Sequence, residues 1–324
     1  MGAVALLAVI GVTVAVTLSV AGGGSGGNPP TTSPTTGNGP DSPIASANDK
    51  GPATIITEDP TCAPVRPILE TRAGQQRNGW DTRDPSIPAS AWTPAQRAQY
   101  EAVGQSMRSS ADQVVALVKL TPHRVMRELY EQLIAYSRAY ADRIPTYKPP
   151  DDNLALVSIA AAGAISNICA ALSYDSASAR GPLVATPEAP SEVASTSDPA
   201  EPQRFLTDPN SVCPDWIAAL SQFQNDTAAW LAIPSDIPAS QWNPEQRAVN
   251  DAVAPVMSAS ADKLQALGAR SGNPTLEDFA VLSAQYRRAY VLSLPSYIPA
   301  DNYLANSALL LSGVVKAACQ AAEE

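Results

Sequence analysis

Apolar residues recur along much of this chain with the period of a helix. In one stretch Trp216, Ile217, Leu220, Phe223, Thr227 and Trp230 fall at the i, i+3, i+4 and i+7 spacings that put side chains on one helical face. Breaks in that pattern divide it into four elements. A second helix is predicted to open at Thr93-Pro94-Ala95-Gln96 and, further on, at Asn243-Pro244-Glu245-Gln246. Each tetrapeptide offers a capping side chain, proline at the first helical position and glutamine at the third. Those helices are expected to run to about Leu120 and Arg270. Thr121-Pro122 and Asn273-Pro274 then open a third helix, which Pro145 and Pro295 end. A fourth runs from Asp151 or Asp301 past the last cysteine of its segment.

The pattern occurs twice because the chain repeats itself. Trp80 to Cys169 reads onto Trp230 to Cys319 without a gap, at a constant offset of 150 residues. Shared strings include IPAS at Ile87 to Ser90 and Ile237 to Ser240, and Arg-Ala-Tyr at Arg138 to Tyr140 and Arg288 to Tyr290. A repeat of about 110 residues is the usual size of a domain. The expected fold class is all-α: an N-terminal transmembrane helix plus two tandem, disulfide-closed, four-helix up-down bundles.

The four cysteines support that plan. Cys62 and Cys169 frame the first copy, and Cys213 and Cys319 frame the second. Four cysteines allow three connectivities, but only one gives each copy the same bridge. In an up-down bundle the start of the first helix and the end of the fourth share a pole, where these cysteines fall. Separations of more than 100 residues and a single histidine argue against a metal site. Disulfides indicate an oxidising, extracytoplasmic compartment.

The remaining segments differ in composition. Residues 2–21 are uncharged and mostly Ala, Val, Leu and Ile, long enough for a bilayer core, and are read as a transmembrane anchor spanning residues 1–21. A cleaved signal peptide, with Ser19-Val20-Ala21 as the cleavage site, is the alternative. Residues 22–60 are rich in Gly, Pro, Ser and Thr and read as a disordered tether reaching several tens of ångströms. Residues 175–211, with Pro182, Pro187, Pro190, Pro199 and Pro202, read as a disordered linker. The bundles are then residues 61–174 and 212–324, joined as beads on a string.

Charge narrows the partners. A net charge of −10 argues against nucleic acid, which needs clustered Lys and Arg. The first copy is nevertheless mildly basic and the second acidic. Arg66, Arg72, Arg77 and Arg83 lie along the opening helix of the first copy, where a solvated face is the plain reading.

Candidate chemistry is sparse. His123 becomes Asn273 in the second copy and lacks the partners of a nucleophilic triad. No HExxH, phosphate-binding loop or GxSxG elbow is present. Asp151-Asp152 is matched by Asp301-Asn302, which suits a helix start more than a carboxylate pair. Tyr136 and Tyr140 share a helix face and could ligate haem iron, although core packing explains them as well.

The better candidates lie at the pole away from the cysteines. The first copy brings Trp80, Trp92, Arg97, Tyr147 and Asp151 there, with Ile87, Gln96 and Tyr140. The second brings Trp230, Trp242, Arg247, Tyr297 and Asp301, with Ile237, Gln246 and Tyr290. Aromatic faces beside Arg, Gln and Asp suit a glycan or short peptide in a small cleft. The alternative is that the Trp and Tyr rings close the bundle end while Arg97 pairs with Asp151.

An Ala-rich membrane segment, a Pro/Ser/Thr tether and cysteine-bounded helical modules together resemble the single-pass cell-envelope proteins of actinobacteria, mycobacteria especially. The resemblance covers the architecture and carries no catalytic residues. It fits a non-enzymatic binding or scaffolding protein on the outer side of the cytoplasmic membrane. Residues 2–21 would engage that membrane, an envelope protein or glycan would be the partner, and no cofactor is expected. A cell-wall-acting enzyme and a haem or small-ligand carrier are the alternatives.

Overall fold

The computed structural model describes residues 43–323, and among them the chain is helical with no strand. The first repeat contains α1 (Cys62–Arg77), α2 (Pro94–Val118), α3 (Arg124–Arg143) and α4 (Asp152–Ser173). A short α5 (Ser176–Arg180) follows. The second repeat contains α6 (Cys213–Asp226) with its brief continuation α7 (Ala228–Leu231), then α8 (Pro244–Ala269), α9 (Pro274–Ser293) and α10 (Asn302–Ala322). The anchor, residues 1–21, and the first part of the tether lie outside the described residues.

Local sequence sets the helix starts. Thr93 and Asn243 each accept a hydrogen bond from the backbone of the glutamine three residues on, and that glutamine returns a bond to the cap. Both capping boxes satisfy donors that the first helical turn leaves without internal partners. Asn273 caps α9 by accepting from Leu276 N–H. In each repeat consecutive long helices pack on one another and the fourth returns to the first. The ring is closed by Cys62–Cys169 in one repeat and Cys213–Cys319 in the other, with Cα atoms 5.2 and 5.5 Å apart.

The two bundles are not beads on a string. The described residues, 43–323, fall in one compact unit, in which α4 packs along α10 and α3 meets α9. Each of these helices therefore pairs with its own counterpart, the signature of an isologous interface about a two-fold axis. The glycines show the reciprocity. A methyl group on Gly163 would lie 3.0 Å from Leu310, and one on Gly313 would lie 3.9 Å from Ala160. Gly163 and Gly313 are equivalent positions, as are Ala160 and Leu310. The stretches Pro149–Ser173 and Pro299–Ala322 are long and apolar enough to cross a membrane by length and composition. Much of that apolar surface is buried where the bundles meet.

The tether and linker readings also need correction. From residue 43 onward the tether lies on the helices, burying Ile44, Ala53, Ile55 and Ile56. Ala45 N–H donates to Lys119 O at 2.9 Å, and Thr121 Oγ1 to Asp59 Oδ2 at 2.5 Å. In the linker, α5 follows α4 directly, and Phe205 sits between the rings of Tyr136 and Phe279, at 6.2 and 5.5 Å. Tyr136 OH donates to Leu206 O, while its equivalent Tyr286 lies against the backbone of Ile56. The segment leading into each bundle thus packs on the third helix of the other. A few aliphatic and aromatic side chains in otherwise polar stretches are enough to fix both segments, because docking gives them an apolar groove to fill.

Candidate functional site

At the pole away from the first disulfide, the loop between α1 and α2 folds over the bundle end. Ala89 N–H donates to Tyr147 O at 2.9 Å, tying that loop to the turn before α4. Trp92 stacks on Tyr147 at 5.3 Å and lies 4.0 Å from Tyr100, while Trp80 meets Tyr140 edge-on at 5.9 Å. Trp80, Trp92 and Tyr147 are all buried. Two of them use their polar atoms inside the loop: Trp92 Nε1 donates to Ile87 O at 2.9 Å, and Tyr147 OH to Pro85 O at 2.9 Å, whereas Trp80 Nε1 is buried with no hydrogen-bond partner. Burial raises the pKa of Tyr100, Tyr140 and Tyr147 above the ordinary phenol value.

The charged candidates pair differently from expectation. Arg97 does not reach Asp151; its Nη2 donates to Ala89 O at 2.7 Å. Asp151 instead accepts from Lys148 N–H at 2.7 Å and lies 3.7 Å from Arg143. The buried acid here is Asp152, bound by Arg83 at 2.5 Å. Arg83 also lies 3.4 Å above the Trp80 ring. The α1–α2 loop carries Arg83 to α4, a pairing that helical periodicity does not disclose.

The second repeat builds a similar pole with Ile233, Asn250 and Asn302 in place of Arg83, Tyr100 and Asp152. Trp242 stacks on Tyr297 at 5.6 Å and donates to Ile237 O at 3.0 Å. Half-buried Trp230 donates to Tyr290 OH at 3.0 Å, and Arg247 to Ala239 O at 3.0 Å. Here the buried acid is Asp301, held by Arg180 from α5 at 3.0 and 2.9 Å. The equivalent of Arg83 is Ile233, so the linker supplies the missing cation. His123 precedes α3, with Nε2 2.8 Å from Glu58 O. Tyr136 and Tyr140 are core residues.

A second constellation, which the sequence reading passed over, lies where α3 meets α9. Arg124 Nε and Nη2 donate to Asp278 at 2.7 and 2.8 Å, and Nη1 to Asp49 O and Gly51 O at 2.8 and 3.1 Å. Beside this pair lies Glu128, fully buried, with neither carboxyl oxygen hydrogen-bonded and Arg127 3.6 Å away. Arg127 instead donates to Glu131 at 3.0 Å. Glu128 and Asp278 are equivalent positions in the repeat, so the two-fold axis brings two acids toward one place. That equivalence was the available signal.

Burial, then the charge of Asp278, raises the Glu128 pKa well above the ordinary glutamate value of 4.5, with Arg127 and Arg124 opposing. Burial shifts Glu131 in the same direction. An acid with a raised folded-state pKa holds a proton that the unfolded chain releases. Its favourable contribution is intact below about pH 4.5 and is lost as pH rises toward the folded value. Glu128→Gln is therefore expected to leave stability unchanged near pH 4 and to raise it by about 1–3 kcal/mol near pH 7. Urea denaturation from pH 4 to pH 7 measures this, and an equal effect at every pH would contradict it.

Known proteins give a coherent answer. No solved structure matches the chain. An uncharacterized protein of Mycolicibacterium smegmatis (strain MKD8) is 55% identical over 324 residues, covering 100% of this chain and 86% of that protein. The family model for mycobacterial ESX-1 associated proteins matches residues 44–323, nearly the whole described body. Two disulfide-closed bundles docked about a pseudo-two-fold axis thus form the fold of a chain that belongs to the mycobacterial ESX-1 associated protein family.

Proposed function

We propose that this secretion-system-related chain is a non-enzymatic scaffold on the outer side of the cytoplasmic membrane, anchored through residues 2–21. The observation that carries the reading is the pair of long-range disulfides within a chain of this family. Two structural bridges suit an oxidising space outside the cytoplasm, and the uncharged N-terminal segment has the length of a bilayer core. The inward-turned arginines, tyrosines and tryptophans of the two poles support a structural use of those residues. Docking makes the double bundle one rigid platform rather than two tethered modules, so affinity for a partner would come from a single extended surface. Partners are then envelope components of the ESX-1 context.

The test is genetic and biochemical together. In a mycobacterial strain lacking this chain, ESX-1-dependent secretion should fall. The full chain should restore it, and a version without residues 2–21 should not. Unchanged secretion in the deletion strain would overturn the scaffold reading, and full rescue by the version without residues 2–21 would overturn the anchor.

A further inference from the structure

Each bundle buries one arginine that has no carboxylate partner among the described residues. In the first repeat it is Arg72 of α1, surrounded by the hydroxyls of Ser110, Ser137 and Ser158 at 3.5, 2.9 and 2.6 Å. In the second it is Arg287 of α9, which occupies the position equivalent to Ser137. In the register set by Cys62 and Cys213, Phe223 stands where Arg72 would be, and Ala308 replaces Ser158. The cation has moved from the first helix to the third, and of the three hydroxyl positions only Ser260, equivalent to Ser110, still binds it. Its guanidinium carbon lies 4.4 Å from the centroid of the Phe223 ring. Nη2 is buried with no hydrogen-bond partner. Burial lowers both guanidinium pKa values to about 10, which leaves both charged at neutral pH.

A cavity of about 10 Å³ adjoins Arg287, lined also by Phe223, Trp230, Met257 and Tyr290. Room of that order admits one water-sized occupant. Trp230 Nε1 already donates to the Tyr290 hydroxyl, so the phenol has its own proton left to give. Arg287 Nη2–H and Tyr290 O–H are thus two donors beside one small space, and the remaining lining side chains offer no acceptor stronger than the Met257 thioether. A water there would leave the buried positive charge uncompensated, whereas an anion neutralises it. We propose that this cavity is a binding site for a single monatomic anion of the chloride class, held by Arg287 and Tyr290. Polyatomic anions such as sulfate are too large, while the flexible Met257 wall can yield to an ion somewhat larger than water.

The test follows thermal unfolding of the full chain in detergent as chloride replaces gluconate at constant ionic strength. Tm should rise with chloride as for a ligand that binds only the folded state. Bromide should act alike, and sulfate should act no differently from gluconate. Arg287→Met should abolish the dependence, and Arg72→Met, in the other bundle, should retain it. Should Arg287→Met fail to fold, Tyr290→Phe provides the second reading: loss of one hydrogen bond to a charged partner should weaken chloride affinity about tenfold or more. Equal Tm in chloride and gluconate would overturn the proposal. So would undiminished chloride dependence in Arg287→Met or Tyr290→Phe.

Discussion

Replacing Arg124 by methionine is expected to destabilise the protein by about 3–5 kcal/mol, the usual consequence of removing one partner from a buried ion pair. Arg124 and Asp278 are each about 1% exposed, so water cannot replace the lost guanidinium. The substitution also leaves Asp278 acting on Glu128 without the Arg124 charge that opposes it. Backbone carbonyls of Asp49 and Gly51 lose their donor as well, which should loosen the segment ahead of α1. The double variant Arg124→Met/Asp278→Leu is expected to recover most of the loss, because apolar residues of similar volume can replace a buried pair with little net change. Urea midpoints compare the three proteins. A single-variant effect below about 1 kcal/mol would mean that the pair behaves like one on the surface.

The second large effect concerns the bridges. Removing Cys62–Cys169 by a double substitution to alanine should cost about 4–5 kcal/mol in the chain-entropy account, given a loop separation of 107 residues. The form of the transition is as informative as its midpoint. Since the bundles share the α4–α10 face, the whole body should still unfold in one cooperative step, shifted to lower temperature. Two separate calorimetric transitions, with the second repeat unmoved, would instead mean that each bundle folds by itself.

What the sequence disclosed was local or symmetric. Pro94 and Pro244, each preceded by a capping side chain, fix the start of a helix through interactions within one turn, and α2 and α8 begin there. The disulfides were legible because one arrangement treats both copies alike. The aromatic poles were legible as places, whereas burial, which periodicity does not report, decides how their rings are used. Docking was harder to read. An α4 or α10 that is apolar on most faces is explained by one bundle or by two until its neighbour is known. Glu128 lies in residues 121–130, where the copies share no identical residue, so the comparison that exposed the poles hid the charged centre. Arg180 lay in a polar linker, where nothing in the pattern pointed to Asp301.

The self-paired α4–α10 face has a thermodynamic consequence. In a two-fold dimer of separate chains, dilution would part the halves, and any weakness between them would be felt as dissociation. Joined in one chain, the halves meet at a fixed effective concentration whatever the amount of protein in the cell. Fusion also removes the obligation of sameness: a change at one position is no longer copied into its mate. Arg124 bound to Asp278 where its own equivalent is Pro274, and Arg180 serving one half only, are arrangements that a strictly symmetric pair could not hold.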